Sequence, residues 1–272
     1  MTAAELRAAY HEQVRDVLPS KQPEGVVVDS DGPLTRVSGG KHHGYVVYRD
    51  LAGASGADLD ALIERTRAYF GGRDEAFEWK TYDYDEPADL PDRLRSAGFV
   101  AGEVETVVIG LAEELTDEPA LPAGVSIRQV SDRADFERIA DLHTEIWNED
   151  WSWLAQDLAD RQAAYPDGIA IFVAEADGQL VTVAWLVRDH GSEFATLWGG
   201  ATRPGWRGKG IYRAMVARRA QYAVRVGARF VQVDASDESA PILQRLGFVA
   251  VATTTPYLWT PPGGQGPSTL SG

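Results

Sequence analysis

Alternating strand and helix signals predict an α/β (α+β) chain built from two related modules. Three observations carry that reading. The order strand, short helix, Gly-Phe, strand occurs twice, because Leu94-Arg-Ser-Ala-Gly-Phe-Val-Ala101 returns as Leu243-Gln-Arg-Leu-Gly-Phe-Val-Ala250. Strand-period and helix-period apolar patterns fill the rest of both halves. A basic glycine turn, Arg203-Pro-Gly-Trp-Arg-Gly-Lys-Gly-Ile-Tyr-Arg-Ala-Met-Val216, joins a strand end to a helix start in the second half only. The expected division is a first module over 1–117, a second over 124–261 and a Gly/Pro/Ser-rich disordered tail over 262–272.

The elements follow in chain order. Residues 3–18 read as a helix, with Leu6, Tyr10, Val14 and Leu18 on one face. Strands are expected at 33–38 and 43–50, turned by Gly39-Gly40. Asp58–Phe70 is a helix with an apolar stripe at Leu59, Leu62 and Ile63, stopped by Gly71-Gly72. Ala76–Tyr84 alternates as a strand, Asp89–Ser96 is a short helix, and Glu103–Leu111 is a strand. Thr116–Gly124, with two prolines and its acids, is the linker.

The second module opens with a strand at 125–130. A capped helix follows from Ser131, its apolar face made by Phe136, Ile139, Leu142 and Ile146. Another helix covers about 152–164. Ile169–Ala176 and Leu180–Arg188 are strands joined at Asp177-Gly178, a strong hairpin signal. Phe194–Ala201 leads into the basic turn. Ala228–Ser236 is a strand, and Ser239–Phe248 contains a short helix stopped by glycine.

Composition narrows the function classes. The chain has 272 residues, 44% of them hydrophobic, enough for a packed core. It has no cysteine, which excludes disulfides, thiolate metal sites and cysteine nucleophiles. His11-Glu-Gln-Val-Arg15 begins like a zinc-protease helix but lacks the second histidine, so no metal is expected. The start is charged and no apolar run spans a membrane, so a cytoplasmic protein is expected. A net charge of −15 argues against nucleic acid or an anionic membrane as partner. Against that background, Arg203, Arg207, Lys209 and Arg213 gathered at one glycine turn point to an anion. A helix N-terminus offers unpaired N–H groups and positive potential, and glycines let a phosphate approach the backbone. The turn is neither a P-loop nor a dinucleotide fingerprint, because Lys209 is followed by Gly210 and the glycine order is reversed. The alternative is a basic turn that only joins strand to helix.

Arg207-Gly208-Lys209-Gly210-Ile211-Tyr212 resembles the acyl-CoA loop of the GNAT superfamily of N-acetyltransferases, Gln/Arg-x-x-Gly-x-Gly/Ala, departing from it at Tyr212. Leu246-Gly247-Phe248 resembles the end of the fourth GNAT helix. The resemblance covers about 124–260, and the repeat is similar to a tandem arrangement with a degenerate first module. It implies two modules, each a mixed, mostly antiparallel sheet flanked by helices. The first has no cation cluster near Gly53–Asp58, so it is expected to bind no CoA and to play a structural part.

By the same resemblance, acetyl-CoA is the co-substrate. Gly200, Ala201, Thr202, Arg207, Gly208, Lys209, Gly210, Ile211, Tyr212, Arg213 and Ser236 are the expected binding residues. Gly199-Gly200 either bares the strand for the pantetheine arm or forms a bulge, and both can hold. The family's thiolate partner is a tyrosine at the position of Leu243, so another hydroxyl is needed: Ser236, Ser239 or Tyr257. Otherwise the thiolate leaves with water alone, or activity is lost. The family's strand glutamate falls at Thr196, which leaves Glu149, Asp150, Asp189 and Glu193 as candidate bases. Trp147, Trp151 and Trp153 with Glu149 and Asp150 lie in the region that commonly lines the acceptor site, where they either form an aromatic, acidic wall or seal the core. The implied activity is acetyl transfer to a small-molecule amine by direct attack, in a monomer or homodimer. The alternatives are an acyl-CoA-binding sensor or scaffold without turnover, and a pair of modules that bind a protein partner.

Overall fold

The structure is a computed structural model and describes residues 1–188 and 191–263. Expectations for Asp189 and for 264–272 of the tail lie outside those residues. The first half contains α1 (Ala3–Gln13), β1 (Val27–Asp31), β2 (Leu34–Ser38), β3 (Gly44–Val47), α2 (Gly56–Gly71), β4 (Phe77–Tyr82), α3 (Leu90–Ser96), β5 (Val100–Ala101) and β6 (Glu105–Leu111). The second contains β7 (Val125–Val130), α4 (Arg133–Trp147), α5 (Leu154–Ala164), β8 (Ile169–Ala176), β9 (Gln179–Val187), β10 (Phe194–Thr202), α6 (Ile211–Arg225), β11 (Phe230–Ala235), α7 (Ala240–Arg245) and β12 (Val249–Trp259).

Most elements fall within one or two residues of their expected bounds, and the local chemistry shows why. Thr2 and Glu5 form a capping box that starts α1. Asp132 caps α4 by accepting from the Asp135 amide at 2.9 Å. Asp177 and Gly178 both take positive φ in the turn between β8 and β9. Two differences stand out. The first helix ends at Gln13 instead of 18, because Arg15 turns inward to pair with Asp85 and donate to the Tyr48 carbonyl at 3.1 Å. β1, which was not expected, pairs with β2 through a turn at Gly32.

Both halves repeat one plan. A strand, a helix and a parallel strand are followed by a short helix and an antiparallel strand: β3-α2-β4-α3-β6 and β10-α6-β11-α7-β12. All described strands join one sheet of twelve, in the order β1-β2-β3-β4-β12-β6-β11-β10-β9-β8-β7, with β5 pairing β12 off this path. The last strands are exchanged. β6 of the first half pairs with β11, and β12 of the second half pairs with β4.

The cores follow this exchange. Helices α6 and α7 cover one face of the second half, and α4 and α5 cover the other. Helices α2 and α3 close a first-half core of Phe70, Phe77 and Trp79 that also takes Tyr257 and Trp259 from β12. Fully burying such side chains stabilises by about 2–3 kcal/mol each. Parting the halves would therefore expose aromatic surface that each needs covered.

Candidate active site

The second half's parallel strands separate where the ligand was expected. β10 and β11 pair only over Phe194–Thr196 and Phe230–Gln232. Beyond Thr196, β10 pairs on its other side with β9, and β11 pairs with β6. The facing edges of the two strands splay apart. The bared β10 edge carries N–H and C=O groups that an extended ligand can satisfy.

The splay has a local cause. The β9–β10 register slips between Trp198 and Ala201, which places a bulge at Gly199-Gly200. Gly199 has φ +62°, and a Cβ there would stand 1.9 Å from Cζ3 of Trp185. Glycine is required at 199 for backbone and packing reasons together. At Gly200 a Cβ would only touch the Tyr212 ring, at 3.6 Å.

The basic turn closes the end of the splay. Gly208 and Gly210 have φ +72° and +83°, and Gly210 starts α6 with no side-chain cap. The first amides of α6 therefore stay open to an anion. Arg207 is exposed and donates from Nε to the Thr202 carbonyl at 3.1 Å, bracing the turn against the strand end. Lys209 Nζ lies 4.6 Å from the Trp206 ring centre, and Arg213 is exposed. Arg203, expected as the fourth cation, is committed elsewhere. It pairs with Glu145 on α4 and donates to the Leu180 carbonyl at 2.7 Å.

Three hydroxyls meet at the same end. Ser236 Oγ and Ser239 Oγ are 3.2 Å apart, and the Tyr212 phenol lies near enough to Ser239 to feel it. Burial raises the Tyr212 phenol, against the opposing effects of Arg219 and Ser239, so it is protonated at neutral pH. Leu243 is fully buried in the core and supplies no polar group.

Other candidates are placed differently. Tyr257 is 2% exposed and faces Trp79 across the β12–β4 ladder, because the exchanged strand carries it into the first-half core. It is therefore withdrawn as a catalytic group. Glu149 is exposed in the turn after α4. Asp150 accepts from the Ser152 amide at 2.9 Å, which lowers its carboxyl below the usual range and ties it to the turn. Glu193 accepts from Gln13 and stands 3.5 Å from Arg229, a tie to α1. Trp147 points outward at 41% exposed, whereas Trp151 is buried and stacks on half-buried Trp153 with centroids 5.3 Å apart.

One cluster was missed. Lys80 of β4 lies 3.0 Å from Glu105 of β6 and 2.9 Å from Asp234 of β11. Burial alone would lower its ammonium, yet Asp234, Glu105 and Glu78 push it well above the usual lysine range. These residues are far apart in sequence and meet only because the last strands are exchanged. Among the described residues no acidic or histidine group could hold a metal ion, and no helix is long and apolar enough to cross a membrane.

Comparison with known proteins agrees with this geometry. Residues 136–248 match the family described as the acetyltransferase (GNAT) family. No curated protein matches the sequence. A GCN5-related N-acetyltransferase from Kribbella flavida superposes with a TM-score of 0.65 at 17% identity, over 96% of each chain. A functionally unknown conserved protein from Staphylococcus epidermidis gives 0.63 at 15%, over 90% of this chain and 96% of its own. A tandem GNAT protein from the clavulanic acid biosynthesis pathway gives 0.60 at 15%, over 91% and 86%. At such identities the likeness is one of fold. The second half therefore carries a domain that matches the GNAT acetyltransferase family, and the chain over its length shares the fold of a tandem GNAT protein.

Proposed function

We propose that the protein is an acetyl-CoA-dependent N-acetyltransferase that acts on a small-molecule amine. The observation that carries this reading is the splay between β10 and β11, opened by the Gly199-Gly200 bulge and closed by an uncapped helix start with basic side chains. The α6 amides with Arg207, Lys209 and Arg213 suit a diphosphate, and Gly200, Ala201 and Thr202 bare backbone for a pantetheine arm. Acetyl-CoA would supply an acetyl thioester, which an unprotonated amine can attack directly.

The proton that the attacking amine releases passes to solvent water, and the chain supplies a donor for the departing thiolate. The Tyr212 hydroxyl, kept neutral by burial, can give a proton to a departing thiolate. It takes the place of the group that Leu243 lacks.

Calorimetry with acetyl-CoA, followed by thiol release across a panel of amines, tests the reading. Binding with amine-dependent release supports it. Binding without release from any amine leaves a sensor, and no binding at millimolar ligand removes acyl-CoA from the account.

A further inference from the structure

The cluster at Lys80 lies on the opposite face of the sheet from α6 and α7. Phe230, Gln232 and Asp234 alternate on β11 with Val231, Val233 and Ala235, which pack into the core under those helices. Asp234 lies two residues past Gln232, the last β11 residue paired with β10. Its carboxylate thus borders the splay from the side that the basic turn leaves free. Gln232 donates to it at 2.7 Å, and Lys80 holds its other oxygen.

From Lys80 the polar surface runs into the first half. Glu78 is two residues back on the same face of β4, with His43 Nε2 3.8 Å away. Burial opposes ionisation of Glu78, but His43 and Lys80 hold its carboxyl below the usual range. Three carboxylates, Glu78, Glu105 and Asp234, thus lie around one lysine. The side chains of Glu78, Lys80 and Asp234 keep 25%, 22% and 14% of their surface, so solvent reaches them.

Two further groups lack a protein partner. Thr254 is 1% exposed, stands opposite both Glu105 and Tyr82 in register, and has a hydroxyl with no hydrogen bond. Nδ1 of His43, a side chain 10% exposed, is likewise unbonded. Buried polar atoms are rarely left so unless something else satisfies them.

The aromatic side of the same space comes from both halves. The His42 ring lies 4.3 Å from His43 and stacks on Trp153 at 4.6 Å and 12°. Trp153 in turn stacks on Trp151. His42 and His43 thus link these rings to Glu78, which shares its face of β4 with Lys80, the partner of Asp234.

We propose that the acceptor site lies between the two halves on this face, and that it takes a protonated amine with an aromatic body. The first half then reads the substrate, through Glu78, Lys80, His42 and His43, instead of only bracing the second. This inference rests on the acetyl-transfer reading above, and separate ligands test the two.

Calorimetry on the full chain with phenethylamine, phenethyl alcohol and phenylacetate compares one shape in three charge states. Phenethylamine should bind at least about tenfold more tightly than the alcohol, and phenylacetate more weakly still. Glu78→Gln keeps the shape and removes a charge, and Trp153→Ala removes the stacking surface. Each should weaken phenethylamine about fivefold or more, with acetyl-CoA affinity and thermal midpoint retained for Glu78→Gln. Equal binding of the three compounds would overturn the proposal. So would no binding of phenethylamine at about 10 mM, or unchanged affinity in both variants. Wild-type protein that binds phenethylamine but no acetyl-CoA would defeat the acetyl-transfer reading and leave the amine site standing.

Discussion

Replacing Gly199 with alanine tests how the bulge opens the splay. The substitution adds one methyl and meets two costs. Left-handed backbone at a residue other than glycine costs about 1 kcal/mol or more. The new Cβ would also stand 1.9 Å from Trp185 Cζ3, 2.0 Å from Cη2 and 2.4 Å from Cε3. Trp185 is 7% exposed within the core under α4 and α5, so the ring has little room to yield. Overpacking of this kind costs about 1–3 kcal/mol. The sum is about 3 kcal/mol, or a fall in thermal midpoint of about 6 °C for a chain of this size. Calorimetry should show weakened acetyl-CoA binding as well, because relief of the clash must move β10. Gly205→Ala is the control, since nothing lies within 4 Å of its Cβ position. A Gly199→Ala protein that melts like the wild type and binds acetyl-CoA equally well would refute the role given to the bulge.

Three further outcomes follow from the same geometry. Lys80→Met leaves Glu105 and Asp234 facing each other without their cation, and should cost about 3 kcal/mol in denaturant unfolding; an unchanged midpoint would mean that water already screens the cluster. Burial lowers the His143 imidazole to about 4, so the folded state resists a proton that the unfolded state takes up near 6.5. Its stabilising effect is intact above pH 6.5 and declines as pH falls toward 4, by about 3 kcal/mol, so His143→Phe should flatten that part of the pH–stability curve and an unaltered slope would contradict the burial argument. Tyr212→Phe should retain acetyl-CoA affinity and lower turnover about tenfold or more, and equal turnover would exclude the phenol as proton donor.

Local signals in the sequence were sufficient for most elements. The Thr2 cap, the Asp177-Gly178 turn and the apolar stripe of α4 each act over a few residues, and each element they mark falls near its expected place. The glycine pair ahead of the basic turn was legible as either a bulge or a bared strand, and Gly199-Gly200 is both. The exchange of last strands was not legible. β6 and β12 follow near-identical Gly-Phe segments, and nothing local to either says whether β4 or β11 is its neighbour. Two differences at the site descend from that ambiguity. Tyr257, one of the candidate hydroxyls, sits in the first-half core because its strand pairs with β4. Lys80 and Glu105 carry no local signal that joins them to Asp234, which is remote from them in sequence. Arg203 was grouped with its neighbours by proximity, although Glu145 on α4 captures it.

The central claim is that the turn from Arg207 to Gly210 and the start of α6 hold the diphosphate of acetyl-CoA beside the splay. Calorimetric titration of acetyl-CoA into wild type, Arg207→Glu and Arg203→Ala tests it most directly. Arg207→Glu reverses a charge at the cradle and should weaken binding at least about tenfold, or about 1.4 kcal/mol, with the protein still folded. Arg203→Ala removes a cation bound to Glu145 and should bind within about twofold of wild type. Unchanged affinity for Arg207→Glu, or an equal loss in both variants, would contradict the account.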